Sequence, residues 1–482
     1  MEKIANTVFI LFGLTGDLAK RKILPAIYHL ERAKLLPPTF YLVGISRKGV
    51  SPDDVVDLLL RNAENADEAS MVRASLHKRI STVNMNIDEA RDYPILFDHL
   101  HALDLTAQVP LTRLFYLAIP SPLFPLVSEQ LSLAEKREAR GNDASSRYLI
   151  EKPFGSDGSS AQHLINLIEA SFSPSQIYRI DHYLAKETVQ NILAFRFENP
   201  LFSKTWNGSH ISHILITAAE EIGIEGRSSF YEGMGALRDL IQSHLLQLLA
   251  LIVMDRPDSM NAQDIHRAKE AILSRIQPPL PQDMEQKTIR AQYEGYREEA
   301  GNPDSVVETY AACTLSIESE TWKHVPVLIR TGKALNEKVT EIILVYSDDE
   351  HTRKKNYLTI RIQPNEGIVI DVRIKKPGFD DTFDEVQLDY CYRSRDDVSP
   401  EAYERVLYDA LRGDQTLFAT GAEIMECWRI SEPILEAWKD KNFPLYHYQK
   451  GSWGPAEADR LASQASIKWF DETHRVCTVR RF

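Results

Sequence analysis

Cysteine is scarce in this chain: four in 482 residues, at Cys313, Cys391, Cys427 and Cys477. They lie far apart, with no CxxC pair and no His-rich spacing, which excludes a zinc ribbon and predicts reduced thiols and no metal centre. Long apolar runs are missing too. No stretch of about 18 uncharged apolar residues occurs, so no membrane helix and no membrane partner are expected. The opening MEKIANTVFILFG lacks a small-residue cleavage site, and the cytoplasm is the expected location. Positive charge is outweighed: 56 Lys and Arg against 69 Asp and Glu give a net charge of -13. That argues against a nucleic-acid-binding surface, while a phosphorylated metabolite, needing only a local cationic pocket, stays compatible. Internal repeats and low-complexity tracts are absent.

What is present is ordinary globular material, 43% hydrophobic and 26% charged, in a chain long enough for two or three domains. Thr7 to Phe12 is a β-branched and aromatic run, as in a strand buried on both faces of a parallel sheet. A glycine turn and a helical stretch from Leu18 to Leu30 follow. Further strands are predicted at Phe40–Ile45, Leu114–Ile119 and Arg147–Ile150, separated by helix-length amphipathic stretches. This βα alternation predicts an α/β, doubly wound Rossmann-type parallel sheet over residues 1–180.

Beyond about residue 180 the pattern changes. A helical run from His182 to Phe197 precedes a strand at His210–Ala218 and a second helix over roughly Phe230–Val253. Later runs at Val325–Arg330, Thr340–Tyr346, Tyr357–Gln363 and Gly367–Lys375 read as consecutive strands. Residues 181–482 are therefore expected to form a larger α+β domain with a mostly antiparallel sheet.

Two regions carry the chemistry. Gly13-Leu14-Thr15-Gly16-Asp17-Leu18 sits between the first strand and the first helix, where glycines let backbone N–H groups approach a pyrophosphate. Asp17 is placed to cap the helix, and Lys20, Arg21 and Lys22 add positive charge. An ordinary strand-to-helix turn has the same look. The second strand ends in Ser46-Arg47-Lys48 without an acidic residue, which favours a 2′-phosphate over bare ribose hydroxyls and hence NADP over NAD; solvated loop charges are the bland alternative.

In Arg179-Ile180-Asp181-His182-Tyr183-Leu184-Ala185-Lys186-Glu187, His182 and Lys186 stand four apart and would share a helix face as a phosphate clamp, with Tyr183 adding a hydroxyl. A charged helix start at the surface is the alternative. His244 falls in register with Leu237, Leu240, Ile241 and Leu248 on an apolar face. It is either a hydrogen-bonded core residue or a base that needs a carboxylate to orient it, for which Asp181 is the candidate.

Taken together, GLTGDLAKRK, EKPFG at 151–155, RIDHYLAKE, RDLIQSHLLQ, RTGKALNEK at 330–338, QPNE at 363–366 and GSWGP at 451–455 resemble, in order and spacing, the signatures of the glucose-6-phosphate dehydrogenase family. The resemblance spans essentially the whole chain. It implies oxidation of D-glucose 6-phosphate at C1, with Asp181 and His244 as a catalytic dyad. It also implies substrate contacts from Lys152, His182, Tyr183, Lys186, Glu220, Asp239, Lys333 and Lys338, with Gln363 joining them. Coenzyme contacts are implied at Gly13, Thr15, Gly16, Asp17, Leu18, Lys22, Arg47 and Lys152. A cis bond before Pro153 and a homodimer or homotetramer also follow from it.

Three positions depart from the family pattern: Ala185 for a common glycine, Ser243 for a frequent asparagine, and Phe124 where some members carry a tyrosine that contacts coenzyme. No second, structural NADP site is expected. Two rival readings remain: a same-fold hexose-6-phosphate dehydrogenase that uses NAD or both coenzymes, and a catalytically dead NADP-binding regulatory subunit, against which the presence of Asp181, His244 and Lys186 speaks.

Overall fold

The computed structural model describes residues 4–63, 65–138, 145–347, 355–392, 400–464 and 469. Its first sheet contains β1 (Thr7–Phe12), β2 (Phe40–Ser46), β3 (Ile80–Asn84), β4 (Thr112–Leu117), β5 (Ser146–Ile150) and β6 (Ile177–Ile180). Their spatial order is β3-β2-β1-β4-β5-β6, all parallel, which is the doubly wound nucleotide-binding order. β1 and β4 are buried at every position, as continuous apolar runs covered on both faces require.

The second sheet is built from β7 (Ile211–Ala219), β8 (Ile276–Gln277), β9 (Thr288–Tyr293), β10 (Tyr310–Ile317), β11 (Val327–Gly332), β12 (Val339–Tyr346), β13 (Tyr357–Gln363), β14 (Gly367–Lys375) and β15 (Phe383–Cys391). Its pairings are antiparallel except for β7 with β11 and for a late strand, β17 (Tyr446–Tyr448), with β9. The expected pairing of a doubly wound parallel sheet with a larger, mostly antiparallel one holds. One strand crosses between the halves: β16 (Phe418–Ala419) returns to pair antiparallel with β6 at the edge of the first sheet.

Several local expectations are corrected. The helix expected from His182 runs only over Glu187–Phe197, because residues 181–186 form successive turns, with Leu184 N–H on Asp181 O at 3.1 Å and Lys186 N–H on Tyr183 O at 3.2 Å. The helix expected over Phe230–Val253 is broken at Gly235, whose φ of 73° lies in the left-handed region that helical residues avoid. Asp17 caps nothing: it lies inside the first helical turn and pairs with Arg21 at 2.8 Å, both exposed. Cys313 and Cys427 are free, buried thiols, but Cys391 is disulfide-bonded, since proximity in space is not readable from sequence separation. Cys477 lies outside the described residues. Among the described residues no helix is long and apolar enough to cross a membrane.

Candidate active site

In a parallel sheet all carboxyl ends face one edge, and segments leaving that edge converge. Register aligns Ile45, Phe12, Leu117 and Ile150 across β2, β1, β4 and β5. The next residues outward are therefore Arg47, the Gly13 turn, and the pair Glu151 and Lys152. Asp181 follows β6 in the same way. Against this edge stands the helix Leu237–Leu245, π-wound and packed between the second sheet and the helix Gly421–Ala437. The cleft between them is lined by Lys152, Phe154, Asp181, Asp239, His244 and Trp428, among others.

Asp181 and His244 meet there. His244 Nδ1 lies 2.6 Å from Asp181 Oδ1, with both side chains buried. The same carboxylate oxygen accepts the Tyr183 N–H at 2.9 Å. Burial works against ionisation of Asp181, but His244, His182 and Lys152 outweigh it and hold its pKa down at about 2. An ionised Asp181 can only accept, so the imidazole carries its proton on Nδ1 and leaves the Nε2 lone pair facing the cleft. Lys152 Nζ stands 2.5 Å from that Nε2. Burial pushes the His244 pKa down, Asp181 pulls it up and Lys152 pushes it down again; the balance lies below the ordinary histidine value. A neutral, oriented imidazole is the form a general base needs.

Around this pair the predicted residues fall into two groups. One is a half-buried charge network in which Lys333 Nζ donates to Glu220 Oε2 and lies 3.6 Å from Asp239 Oδ2, while Lys152 Nζ lies 3.8 Å from Asp239 Oδ1. The other surrounds Lys186, whose ammonium donates to Gln363 Oε1 and sits 5.6 Å from the Tyr183 ring centre. Burial lowers the Lys186 pKa; Glu366 opposes this and exposed Lys338 adds to it. His182 stacks edge-on to His244 at 4.7 Å, its pKa held well below the usual value by burial and by the neighbouring His244 and Lys152. Because residues 181–186 are turns, His182 and Lys186 do not share a helix face; the turns bring His182 against His244 and Lys186 against Gln363.

At the nucleotide end, Gly13 has φ 79°, and a Cβ there would collide with Ala118 O at the end of β4. Only glycine lets β1 turn this tightly beside β4, the topological switch point where dinucleotides bind such sheets. Thr15, Gly16, Asp17 and Leu18 continue the turn into the helix. Arg47 is exposed at the end of β2, and its guanidinium has no ion-pair partner among the described residues. These features fit a dinucleotide whose pyrophosphate lies on the Gly13 turn. Lys22 is engaged with Glu401 at 3.2 Å. Phe124 lies in the apolar core against the first sheet and is 1% exposed. The Lys152–Pro153 bond is cis.

Asp181, His182 and His244 place potential metal-ligating atoms within 4.8 Å of one another, but the Lys152 ammonium already supplies a cation at His244 Nε2. Sequence reading missed two polar side chains here. Glu151, although inside the EKPFG signature, received no role, and Tyr403, whose ring lies 6.5 Å from that of His182, sits in a helix with no local signal of any kind.

Comparison with known proteins matches residues 10–191 to the family model described as glucose-6-phosphate dehydrogenase, NAD binding domain, and residues 193–470 to its C-terminal domain. The glucose-6-phosphate 1-dehydrogenase 2 of Mycobacterium tuberculosis is 39% identical, over 95% of this chain and 93% of that protein. The glucose-6-phosphate 1-dehydrogenase of Treponema pallidum is 36% identical, over 97% and 95%. Among solved structures, a glucose-6-phosphate dehydrogenase in complex with its substrate glucose-6-phosphate superposes with a TM-score of 0.88 at 31% identity, covering 96% of this chain and 99% of that one. The Mycobacterium avium glucose-6-phosphate 1-dehydrogenase gives 0.81 at 32% identity, covering 95% and 98%.

Proposed function

The chain belongs to the glucose-6-phosphate dehydrogenase family, and on that premise we propose that it oxidises the C1 hydroxyl of D-glucose 6-phosphate to 6-phospho-D-glucono-1,5-lactone with NADP. The observation that carries the reading is the 2.6 Å contact between His244 and Asp181 beside a cleft that Lys152 and Arg238 also line. When bound, the nicotinamide accepts a hydride. His244 Nε2 takes the proton of the C1 hydroxyl, and Asp181 holds the imidazole in the required tautomer and stabilises its protonated form.

Lys186, His182, Tyr183 and Lys338 supply donors and positive charge suited to a phosphate dianion, and Gln363 orients the Lys186 amine. Glu220 and Asp239 offer carboxylates to sugar hydroxyls, with Lys333 balancing their charge. On the coenzyme side, the Gly13–Leu18 turn would hold the pyrophosphate, Lys22 and Lys152 would lie toward the nicotinamide, and the free guanidinium of Arg47 supports a 2′-phosphate. A place at the first step of the oxidative pentose phosphate pathway, in a homodimer or homotetramer, belongs to the same reading.

The test is absorbance at the reduced-nicotinamide band with glucose 6-phosphate and NADP, then NAD, then with galactose and glucosamine 6-phosphates. Fast reduction of NADP with glucose 6-phosphate is expected, and His244→Asn should lower kcat by several orders of magnitude with KM nearly intact. A His244→Asn enzyme of normal turnover would exclude the assigned base.

A further inference from the structure

One titratable group beside Lys152 has no part in the chemistry above. Glu151 leaves the end of β5 immediately before Lys152. Its Oε1 accepts from the hydroxyl of Tyr116, a residue of β4. The side chain of Tyr403, from the helix Ala402–Arg412, hydrogen-bonds to the same carboxyl. The Tyr403 ring also lies nearly parallel to that of His182, at 13° and 6.5 Å between centres, and His182 in turn abuts His244. The Glu151 carboxyl thus joins the sheet edge, a helix from the far end of the chain, and the paired imidazoles.

We infer that Glu151 is a positioning residue: its carboxylate, clamped by Tyr116 and Tyr403, orients the adjoining Lys152 and, through Tyr403, the His182 ring that flanks the base. The inference rests on the reading that Lys152, His182 and His244 face the substrate. The groups that face Glu151 are Tyr116 from β4, Tyr403 from the helix, Lys152 from its own segment and Asp181 from the turn after β6. Burial raises the Glu151 pKa to about 7; the two phenols and Lys152 pull it down, and Asp181 adds to the rise. Below neutrality the group is an uncharged acid and Lys152 loses a counter-charge. Above it, the carboxylate accepts from both phenols and holds them in place.

The experiment compares kcat/KM of the wild type and Glu151→Gln between pH 5.5 and 9. Below pH 6, where Glu151 is neutral and resembles glutamine, the two enzymes should agree within about twofold; above pH 8 the variant should fall behind by roughly tenfold. A merely structural role predicts a ratio that does not change with pH, and a flat ratio overturns the inference. Should Glu151→Gln fail to fold, Tyr116→Phe serves instead. It removes a hydrogen bond that holds the carboxyl pKa down, so the rise of kcat/KM with pH should move to higher pH, and an unmoved profile overturns the inference. A wild-type enzyme inactive on glucose 6-phosphate would overturn the underlying reading, whereas an active one with a flat ratio sinks the role of Glu151 alone.

Discussion

Lys152 Nζ and Asp181 Oδ1 occupy opposite edges of one imidazole, at 2.5 Å from Nε2 and 2.6 Å from Nδ1 of His244. The ammonium stands where an incoming hydroxyl would have to donate its proton. On the proposed role of His244 as base, substrate would have to displace Lys152 from Nε2, and Asp239, whose carbonyl oxygen is 3.3 Å from the amine, is a nearby acceptor for it.

Lys152→Ala makes that relationship measurable. The positive charge disfavours a second proton on His244, so removing it raises the imidazole pKa and leaves the base protonated at higher pH. The acid limb of kcat/KM should move to higher pH, by roughly one unit, together with a loss of rate. A limb displaced to lower pH would contradict the assigned polarity of the contact.

Arg47→Ala should separate the coenzymes. Loss of a charge-assisted hydrogen bond costs about 1.5–3 kcal/mol, or roughly a tenfold to hundredfold change in affinity. KM for NADP should rise by that factor while KM for NAD stays nearly constant. An unchanged ratio of the two would remove Arg47 as the reader of the 2′-phosphate.

Away from the cleft, Lys269 and Glu423 form a fully buried ion pair at 2.8 Å, with His266 Nδ1 also 2.8 Å from Glu423. Lys269→Met leaves a buried carboxylate with one partner fewer and should cost about 3 kcal/mol of stability in urea denaturation. Adding Glu423→Leu should recover much of that loss, because the desolvated charge is then gone. Burial opposes ionisation of Glu423, but Lys269 and His266 outweigh it and hold its pKa below the usual value. The contribution is therefore present above the unfolded pKa and is lost as pH falls through the folded one.

Much of the first sheet was readable because β1, β2, β4 and β5 are dense apolar runs that can only be buried. β3 and β6 escaped notice: Ile80–Asn84 has only Ile80 and Val83 as apolar, buried residues, and Ile177–Ile180 is four residues with an arginine inside. The RIDHYLAKE segment misled the reading because its 3.6-residue spacing mimics a helix, while Asp181 spends its carboxylate on the Tyr183 amide and fixes a turn instead. The need of His244 for a carboxylate made Asp181 a candidate partner, and the likeness to a known family implied the dyad. Nothing in local pattern could bring together groups that only the carboxyl edge of a parallel sheet and a distant helix place side by side. Tyr403 shows the same limit from the other direction, since its neighbours Glu151 and His182 belong to loops more than two hundred positions earlier.

The short strand β16 and the helix before it tie the late chain to the earliest elements. Phe418 pairs with Ile180, His29 Nδ1 lies 2.5 Å from Glu404 Oε1, and Arg147 donates to the carbonyls of Ala410 and Leu411. Cutting the polypeptide near residue 180 would bare the amides of β6 as an open, sticky border and strip the apolar flank of the first helix. During synthesis the coenzyme half must wait, unfinished, until more than four hundred residues have left the ribosome.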